Sequence, residues 1–351
     1  MSRARLFSRR IGDGEVCVLT YHGILPEGRA AGGSPVEGAL LSAEQFRRHL
    51  RFLKSRYCLI SPELFHAWLK DGAPLPQRAV LLTCDDGLLN VLTEMVPILL
   101  EEGARCLFFV TGGSLEETAE CLWYDELYRM LSDAPGDAVV AVGGKAARKD
   151  SWTAKDLAGN WWSLVQEYSA LNFGDRKNTL RSLRTEWRLR DDWRWCEDEQ
   201  ETRRCRLLNR EELLQLVSQG MTVGAHSMSH PLLTKMSAEL AEQEIRECKT
   251  RLESCSQREV WAFAYPFGHE GSASGREMTM AERAGYACAF LNCGGGLLRR
   301  TSPRFGLPRA HVTAQMNLAE IEAHLSGFHE ALQRRFRGDG GVSPAGQGHG
   351  A

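Results

Sequence analysis

Short apolar runs alternate with amphipathic segments along most of the chain. Glu15–Thr20, Ala79–Thr83 and Cys106–Thr111 each have the length of a buried strand. The segments between such runs place apolar residues at helical spacing, as Phe46 and Leu50 do. This repeated alternation of strand and helix predicts an α/β fold with a parallel sheet, either open or closed.

Helix start and stop signals divide the chain further. Ser42 with Gln45 forms a capping box, and Ser61-Pro62 followed by Gly72 supplies a cap, a first-turn proline and a terminal glycine. The alternation resumes at a capped helix that starts at Asn209. Further strands are predicted at Met221–Ala225, Val260–Ala264, Ala287–Leu291 and residues 306–312, and a last helix from Leu318 to Leu332.

Between residues 114 and 208 the pattern changes. Strand-like runs are scarce here, and seven of the nine tryptophans fall in this stretch: Trp123, Trp152, Trp161, Trp162, Trp187, Trp193 and Trp195. We interpret it as a largely helical insertion. It could be a lid or substrate-recognition element, or a helical cap that packs its tryptophans into a small core of its own. Clustered tryptophans usually serve packing, which favours the second interpretation.

Composition excludes several classes of protein. The 351 residues carry a formal net charge of −2, so the charge does not indicate binding to nucleic acid or to an anionic membrane. No apolar run is long enough to predict a transmembrane helix, and no apolar segment follows the basic residues 1–10 as a secretory signal requires. Eleven cysteines without a Cys-x-x-Cys pair indicate reduced thiols. A cytoplasmic location is therefore expected, whereas the oligomeric state stays open.

Two polar stretches follow predicted strands and indicate a metal site. Asp85 and Asp86 come directly after the strand at 79–83, and His226 and His230 follow the strand at 221–225. Adjacent carboxylates need a compensating charge. Two imidazoles and one carboxylate form a three-ligand catalytic site for zinc or a similar metal, with an open position for a water whose pKa falls to about 7. The second aspartate is then free to act as general base.

The surrounding residues refine this prediction. Pro231 discourages helix at His230, so the pair is expected in a single turn or a loop. Tyr265-Pro266-Phe267-Gly268, after a third strand, is a constrained turn that can present a backbone N–H to an oxyanion, or an ordinary tight turn. Candidate catalytic and metal-binding residues at the carboxyl ends of strands favour a closed barrel over an open sheet.

These motifs resemble the polysaccharide deacetylase family, the fourth carbohydrate esterase family. Thr83-Cys84-Asp85-Asp86-Gly87 is similar to its Thr-Phe-Asp-Asp-Gly motif, and residues 226–231 match its His-(Ser/Thr)-x-x-His-Pro motif. Phe263-Ala264-Tyr265-Pro266-Phe267-Gly268 resembles a variant of the third motif, and the resemblance extends to Tyr21-His22 and Leu307-Pro308-Arg309. It covers about residues 15–113 and 209–330 and leaves the insertion unexplained.

The resemblance implies an α/β fold, a deformed (β/α) barrel of the polysaccharide deacetylase type with a helical insertion. It places this TIM-barrel-like domain at residues 15–336, interrupted at about 114–208, between an N-terminal arm at 1–14 and a disordered Gly-rich tail at 337–351. By position, Asp85 would be the base, and Asp86, His226 and His230 the metal ligands. The Phe267 amide would help to hold the oxyanion, with Tyr265 beside it at the substrate. The metal would be Zn²⁺, with Co²⁺, Mn²⁺ or Ni²⁺ as alternatives.

The chain departs from the family pattern at three points. Cys84 replaces a phenylalanine, a change expected to affect packing only. Ala264 stands where many members have an arginine that orients the base, so the tuning of Asp85 is left open. The late motif that supplies a histidine as general acid has no clear match. His311 is the first candidate for that acid and His22 the second, and each is alternatively a structural histidine.

The resulting functional hypothesis is a metal-dependent hydrolase that removes an N-acetyl, or alternatively N-formyl, group from an amino sugar. The substrate would be a finished glycan, such as one of the bacterial cell envelope, or a nucleotide- or lipid-linked sugar precursor. Two alternatives stay open. One is a catalytically weak glycan-binding homologue that lost its acid, and the other is a deacylase of a non-sugar amide.

Overall fold

The computed structural model describes residues 11–326 except for 13, 27–38, 116–120, 191–193, 195–198 and 296. The predicted tail at 337–351, nearly all of the arm at 1–14, Trp193 and Trp195 lie outside the described residues. The division of the chain into domains therefore stays a prediction.

The described residues form strands and helices in the order that the sequence predicts, with some additions. In chain order they are β1 (Glu15–Tyr21), α1 (Ala43–Arg56), β2 (Cys58–Ile60), α2 (Pro62–Asp71), β3 (Ala79–Cys84), α3 (Val96–Glu101), β4 (Leu107–Val110), α4 (Trp123–Asp133), β5 (Val139–Val142), β6 (Lys145–Arg148), α5 (Ala154–Tyr168), α6 (Phe173–Glu186), α7 (Glu199–Cys205), α8 (Arg210–Ser218), β7 (Thr222–Ala225), α9 (Ala238–Ser256), β8 (Ala262–Ala264), α10 (Gly275–Arg283), β9 (Cys288–Gly294), β10 (Leu297–Arg299), β11 (Leu307–His311) and α11 (Leu318–Leu325).

Seven parallel strands close into a barrel. The order around it is β1-β11-β9-β8-β7-β4-β3, and β3 pairs with β1 again over the register Val16↔Ala79 to Tyr21↔Cys84. β2 extends the sheet beside β3, and β10 pairs antiparallel with β1. The predicted deformed (β/α) barrel is thus confirmed. Because all seven strands run the same way, their carboxyl ends meet at one rim.

Alternation along the strands builds the two layers of the core. Cys17 and Leu19 of β1 pack in one cluster with Phe46 and Leu50 of α1. Val16 and Val18 point to the opposite face, where they join other alternate strand residues such as Phe109. Since both faces are covered, β1 and β3 are buried at every position, as expected of parallel strands between two apolar layers.

The predicted capping signals are present and define the helix ends. The side chains of Ser42 and Gln45 form the capping box of α1, and Asn209 forms one with Glu212 at α8. Gly72 ends α2 with φ 77°, a left-handed conformation that glycine adopts without strain. Within the part of the chain that the structure describes, no helix combines the length and hydropathy needed to cross a bilayer.

The insertion has a core of its own but is less purely helical than predicted. Trp161 and Trp187 are fully buried in an apolar cluster that α4, α5 and α6 share, in agreement with the packing interpretation. The pair β5 and β6 is a hairpin that the sequence analysis missed, joined by Gly143-Gly144 with positive φ at both residues. A two-residue turn of this kind matches the strand twist. Its strands are short and mostly exposed, so hydropathy marks them poorly.

Candidate metal centre

The predicted site residues meet at the rim where the barrel strands end. A cavity of about 220 Å³ lies there, and its lining includes every predicted site residue except Tyr265: His22, Asp85, Asp86, His226, His230, Phe267 and His311. Asp85 and Asp86 follow β3, His226 follows β7, and His311 ends β11. Parallel strand topology thus gathers residues from five separate parts of the sequence.

Asp86, His226 and His230 form a group that could hold a metal ion. Asp86 Oδ1 lies 3.5 Å from His226 Nε2 and 3.4 Å from His230 Nε2, and the three candidate ligand atoms all lie within 4.8 Å of one another. His226 Nδ1 lies 2.8 Å from the Ala264 carbonyl oxygen. Donation of the Nδ1 proton to that carbonyl leaves the Nε2 lone pair facing Asp86, which is the usual orientation of a metal-binding histidine.

The charge state of Asp86 suits a ligand. Burial alone would raise its pKa, but the adjacent imidazoles of His226 and His230 outweigh this and hold the pKa well below its usual value. The carboxylate therefore stays ionised in a site where it is 5% exposed. Two imidazole nitrogens and one carboxylate oxygen form the donor set of a catalytic zinc site.

Four non-glycine residues of the site have left-handed backbone conformations. Asp86 has φ 76°, Ser227 62°, His230 54° and Phe267 63°. Such conformations cost about 1–3 kcal/mol each and persist only where the surroundings enforce them. Their concentration at this rim indicates a site built for function rather than for stability.

Arg309 holds Asp85 in place, although Ala264 replaces the arginine that does so in many members of the family. Its guanidinium donates to both carboxylate oxygens of Asp85, at 2.7 and 2.6 Å, and to Thr83 Oγ1 at 3.1 Å. Burial favours the neutral form of Asp85, but the charge of Arg309 outweighs it and lowers the pKa of that carboxyl. The orienting arginine thus comes from β11. The sequence places Arg309 in a recognisable motif but does not indicate its role, because the pairing of β11 with β1 has no local signal in the sequence.

His22 and His311 lie side by side in the cavity that also contains the metal-binding group. Their ring centroids are 4.7 Å apart. Nδ1 of His22 and Nε2 of His311 are buried and have no hydrogen-bond partner in the described structure. Burial, with a smaller contribution from His22, lowers the pKa of His311 to about 3. The imidazole of His311 is therefore neutral at ordinary pH.

The two predicted site residues of the third motif, Phe267 and Tyr265, lie in different environments. Phe267 lines the cavity, with its ring centroid 4.9 Å from that of His230. Tyr265, by contrast, is fully buried, and its hydroxyl donates to the Phe305 carbonyl at 3.0 Å. The expectation that Tyr265 lies at the substrate is therefore corrected: its side chain belongs to the core, because alternation along the backbone puts it on the same side as Phe263, whose ring it contacts.

The turn at Phe267-Gly268 depends on the glycine. A Cβ at Gly268 would lie 2.3 Å from Asn292 Cβ and 2.6 Å from the Asn292 backbone nitrogen, and φ is 63°. Gly268→Ala is therefore expected to destabilise the fold by about 2–4 kcal/mol, from overpacking and left-handed strain combined. Chemical denaturation measures this. Gly275→Ala is the control, because nothing lies within 4 Å of its Cβ position; equal stability of the two variants would contradict the prediction.

The insertion contributes cavity residues that sequence reasoning did not identify. Leu122, Tyr124, Asp125 and Trp162 all line the same cavity as the metal-binding group. The Trp162 and Phe267 ring centroids are 6.2 Å apart. The two interpretations of the insertion are thus compatible: some of its aromatic residues pack in its own core, and others form a wall of the site.

Comparison with known proteins agrees with this geometry. Residues 188–289 match the family model described as polysaccharide deacetylase, a segment that includes His226, His230 and Phe267. Among curated proteins, no sequence matches significantly.

Solved structures share the fold. The deacetylase PplD of Streptococcus pyogenes superposes with a TM-score of 0.56 at 15% identity, covering 90% of this chain and 99% of that one. A de-N-acetylase from Aggregatibacter actinomycetemcomitans gives 0.54 at 11% identity, covering 88% and 99%. IcaB from Ammonifex degensii gives 0.53 at 17% identity, covering 91% and 98%. The resemblance to the polysaccharide deacetylase family that the motifs predicted is therefore confirmed, by the family model over the segment with the histidine pair and by the fold over the whole barrel.

Proposed function

We propose that this protein is a metal-dependent hydrolase that removes an N-acyl group, most commonly acetyl, from an amino sugar. The observation that carries the proposal is the shared cavity: the group Asp86, His226 and His230 lies beside a second carboxylate, Asp85, that Arg309 holds in place. A metal-binding group next to an oriented carboxylate is the arrangement that hydrolysis of an amide by water requires.

The ligand set fits Zn²⁺, with Co²⁺, Mn²⁺ and Ni²⁺ as alternatives, since imidazole and carboxylate ligands suit all four. A metal held by Asp86, His226 and His230 would supply a Lewis acid for the amide carbonyl and would lower the pKa of water to about 7. The rest of the chemistry falls to the side chains around it.

Asp85 is the proposed general base. Its two oxygens accept from Arg309, and the carboxylate faces the cavity next to Asp86. In the attack step it takes one proton from water as the oxygen of that water bonds to the amide carbon. The negative charge then develops on the carbonyl oxygen, where the Phe267 backbone amide is the proposed donor. The strained turn of Phe267 and Gly268 would hold that amide in place.

Departure of the amine needs a proton, and the His22–His311 pair is the proposed source. Two imidazoles whose ring centroids are 4.7 Å apart repel each other when both are charged, so at most one of the two is an imidazolium at a time. Burial keeps His311 neutral, because its pKa is about 3. We therefore favour His22 as the general acid, with His311 as a neutral imidazole beside it. This reverses the sequence analysis, in which His311 is the first candidate for the acid and His22 the second. Breakage of the C–N bond then releases the free amine and acetate.

Histidine substitutions test this assignment. His22→Asn is expected to lower kcat on an N-acetyl sugar by about 10²- to 10⁴-fold, the usual contribution of a general acid, and His311→Asn by less. An aryl acetate has a leaving group that departs without protonation, so its hydrolysis by His22→Asn should stay near the wild-type rate. Equal losses on both substrates, or a larger loss for His311→Asn than for His22→Asn on the sugar, would contradict the assignment.

The amino-sugar glycan, or its lipid- or nucleotide-linked precursor, is the proposed substrate. Trp162 and Tyr124 on the cavity wall offer aromatic surface for a sugar ring. Acetate release from N-acetylglucosamine oligomers and from N-acetyl amino acids, with zinc or cobalt added, separates this from deacylation of a non-sugar amide. Turnover of the amino acids alone would overturn the sugar assignment. Glycan binding without acetate release would favour the catalytically weak homologue.

A further inference from the structure

The loop that carries both histidines is held through four successive backbone carbonyls. Ser227 O accepts from the Gly112 amide at 2.9 Å, and Met228 O from the Gly113 amide at 2.7 Å. Ser229 O accepts from Arg176 at 2.8 Å, and His230 O from Trp123 Nε1 at 3.0 Å. We call this set of four contacts the carbonyl clamp.

The barrel supplies the first half of the carbonyl clamp. Gly112 and Gly113 follow β4, and a Cβ at Gly113 would lie 2.5 Å from Met228 O. Only a residue without a side chain therefore lets the two backbones approach this closely. This half belongs to the scaffold.

The insertion supplies the second half. Arg176 of α6 also donates to Ser229 Oγ at 2.6 Å, and its guanidinium lies 4.7 Å from the ring centroid of Trp123, at the start of α4. Arg176 is 2% exposed and Trp123 8%, so neither contact competes with bulk water. Glu244 of α9 accepts from the Ser229 amide at 2.8 Å and from its hydroxyl at 2.6 Å, and its charge balances that of Arg176.

The two histidines differ in how they are held. The ring of His226 is oriented by its hydrogen bond to Ala264 O. Nδ1 of His230 has no partner in the part of the chain that the structure describes. The His230 ring is instead placed by its backbone and by ring contacts with Phe267 and with Tyr124, the latter at a centroid distance of 5.3 Å. Tyr124 also belongs to the insertion.

Strain makes this support necessary. His230 has φ 54° and Ser227 φ 62°, so two of the five loop residues, 226–230, are in the left-handed region. A loop in such a conformation relaxes when its contacts are removed. The hydrogen bonds to the Ser229 and His230 carbonyls, from Arg176 and Trp123, come from outside the barrel.

We propose that the insertion is a positioning element of the metal centre, in which Arg176 and Trp123 hold the backbone of the loop so that His230 faces the metal position. The inference rests on the proposed metal-binding function. It gives the insertion a role beyond forming a cavity wall: the affinity of the barrel for its metal depends on residues of α4 and α6.

Two conservative variants test the proposal. Trp123→Phe keeps a ring but removes the indole N–H that binds His230 O. Arg176→Lys keeps the charge but replaces the planar guanidinium, which lies over the Trp123 ring and whose Nη2 donates to both Ser229 oxygens, by a compact ammonium. We expect each variant to weaken zinc binding by about 10- to 100-fold, as loss of supporting contacts at metal sites does. Competition with a chelator measures this, and the visible spectrum of the cobalt-loaded variants should shift as the ligand geometry changes.

Arg181→Lys is the matched control, because Arg181 lies on the exposed side of the same helix and hydrogen-bonds Asn178. It should bind zinc as the wild type does. Wild-type affinity and an unchanged cobalt spectrum in both Trp123→Phe and Arg176→Lys would overturn the positioning role. A wild-type chain that binds no zinc would instead overturn the proposed function.

Discussion

Asp86→Ala is expected to abolish stoichiometric zinc binding and to lower acetate release at least about 10³-fold. The carboxylate is the one acidic member of the group, and both histidine Nε2 atoms face it at 3.4–3.5 Å. Without it, two imidazoles, neither of which carries a negative charge, are left to hold a divalent cation. The loss corresponds to roughly 4 kcal/mol of transition-state stabilisation, at 1.36 kcal/mol per tenfold change in rate. His226→Ala should behave in the same way.

Metal analysis of the purified variants checks this expectation. Asp125→Asn is the control for zinc content, since Asp125 lines the same cavity but is not part of the metal-binding group. It should retain about one zinc per chain. Zinc retained by Asp86→Ala and His226→Ala, at the wild-type level, would show that these residues are not ligands.

Asp85→Asn is expected to lower kcat by about 10²- to 10⁴-fold while zinc content stays at the wild-type level. The amide cannot accept a proton from water at neutral pH, whereas the metal-binding group is intact. The substitution also separates Arg309 from its anionic partner. Both side chains are buried, so about 3–5 kcal/mol of stability should be lost with the ion pair.

The double variant Asp85→Leu/Arg309→Met separates catalysis from stability. It removes both charges, and replacement of a buried ion pair by apolar groups is often close to neutral for stability. We therefore expect it to melt near the wild-type temperature and to stay inactive. Recovery of activity together with stability would mean that Asp85 acts through folding rather than as a base.

Much of the fold could be predicted from the sequence because its signals are local. Ser42 with Gln45, and Ser61-Pro62 with Gly72, mark helix ends through their own side chains and backbone preferences. The apolar runs at β1 and β3 are buried on both faces and need no knowledge of their partners. Their positions just after predicted strands then marked Asp85, Asp86, His226 and His230 as candidate site residues. The structure brings these four residues into one cavity.

The rest depends on contacts between distant parts of the chain. Arg309 pairs with Asp85 across 224 positions, and the partner of β11 is set by barrel closure rather than by any local pattern. Trp123 and Arg176 likewise reach the histidine loop from a segment that composition marks only as rich in tryptophan. Tyr265 is the opposite case. Its motif is recognisable in the sequence, but its side chain lies in the core and not at the cavity.

The most direct test of the account is acetate release from an N-acetylglucosamine oligomer, measured while zinc is titrated into metal-free protein. We predict that activity rises in proportion to bound zinc, reaches a plateau at one zinc per chain, and stays at least about 10²-fold lower at every zinc level in Asp85→Asn. Acetate release that is independent of zinc, or equal in the wild type and Asp85→Asn, would contradict it.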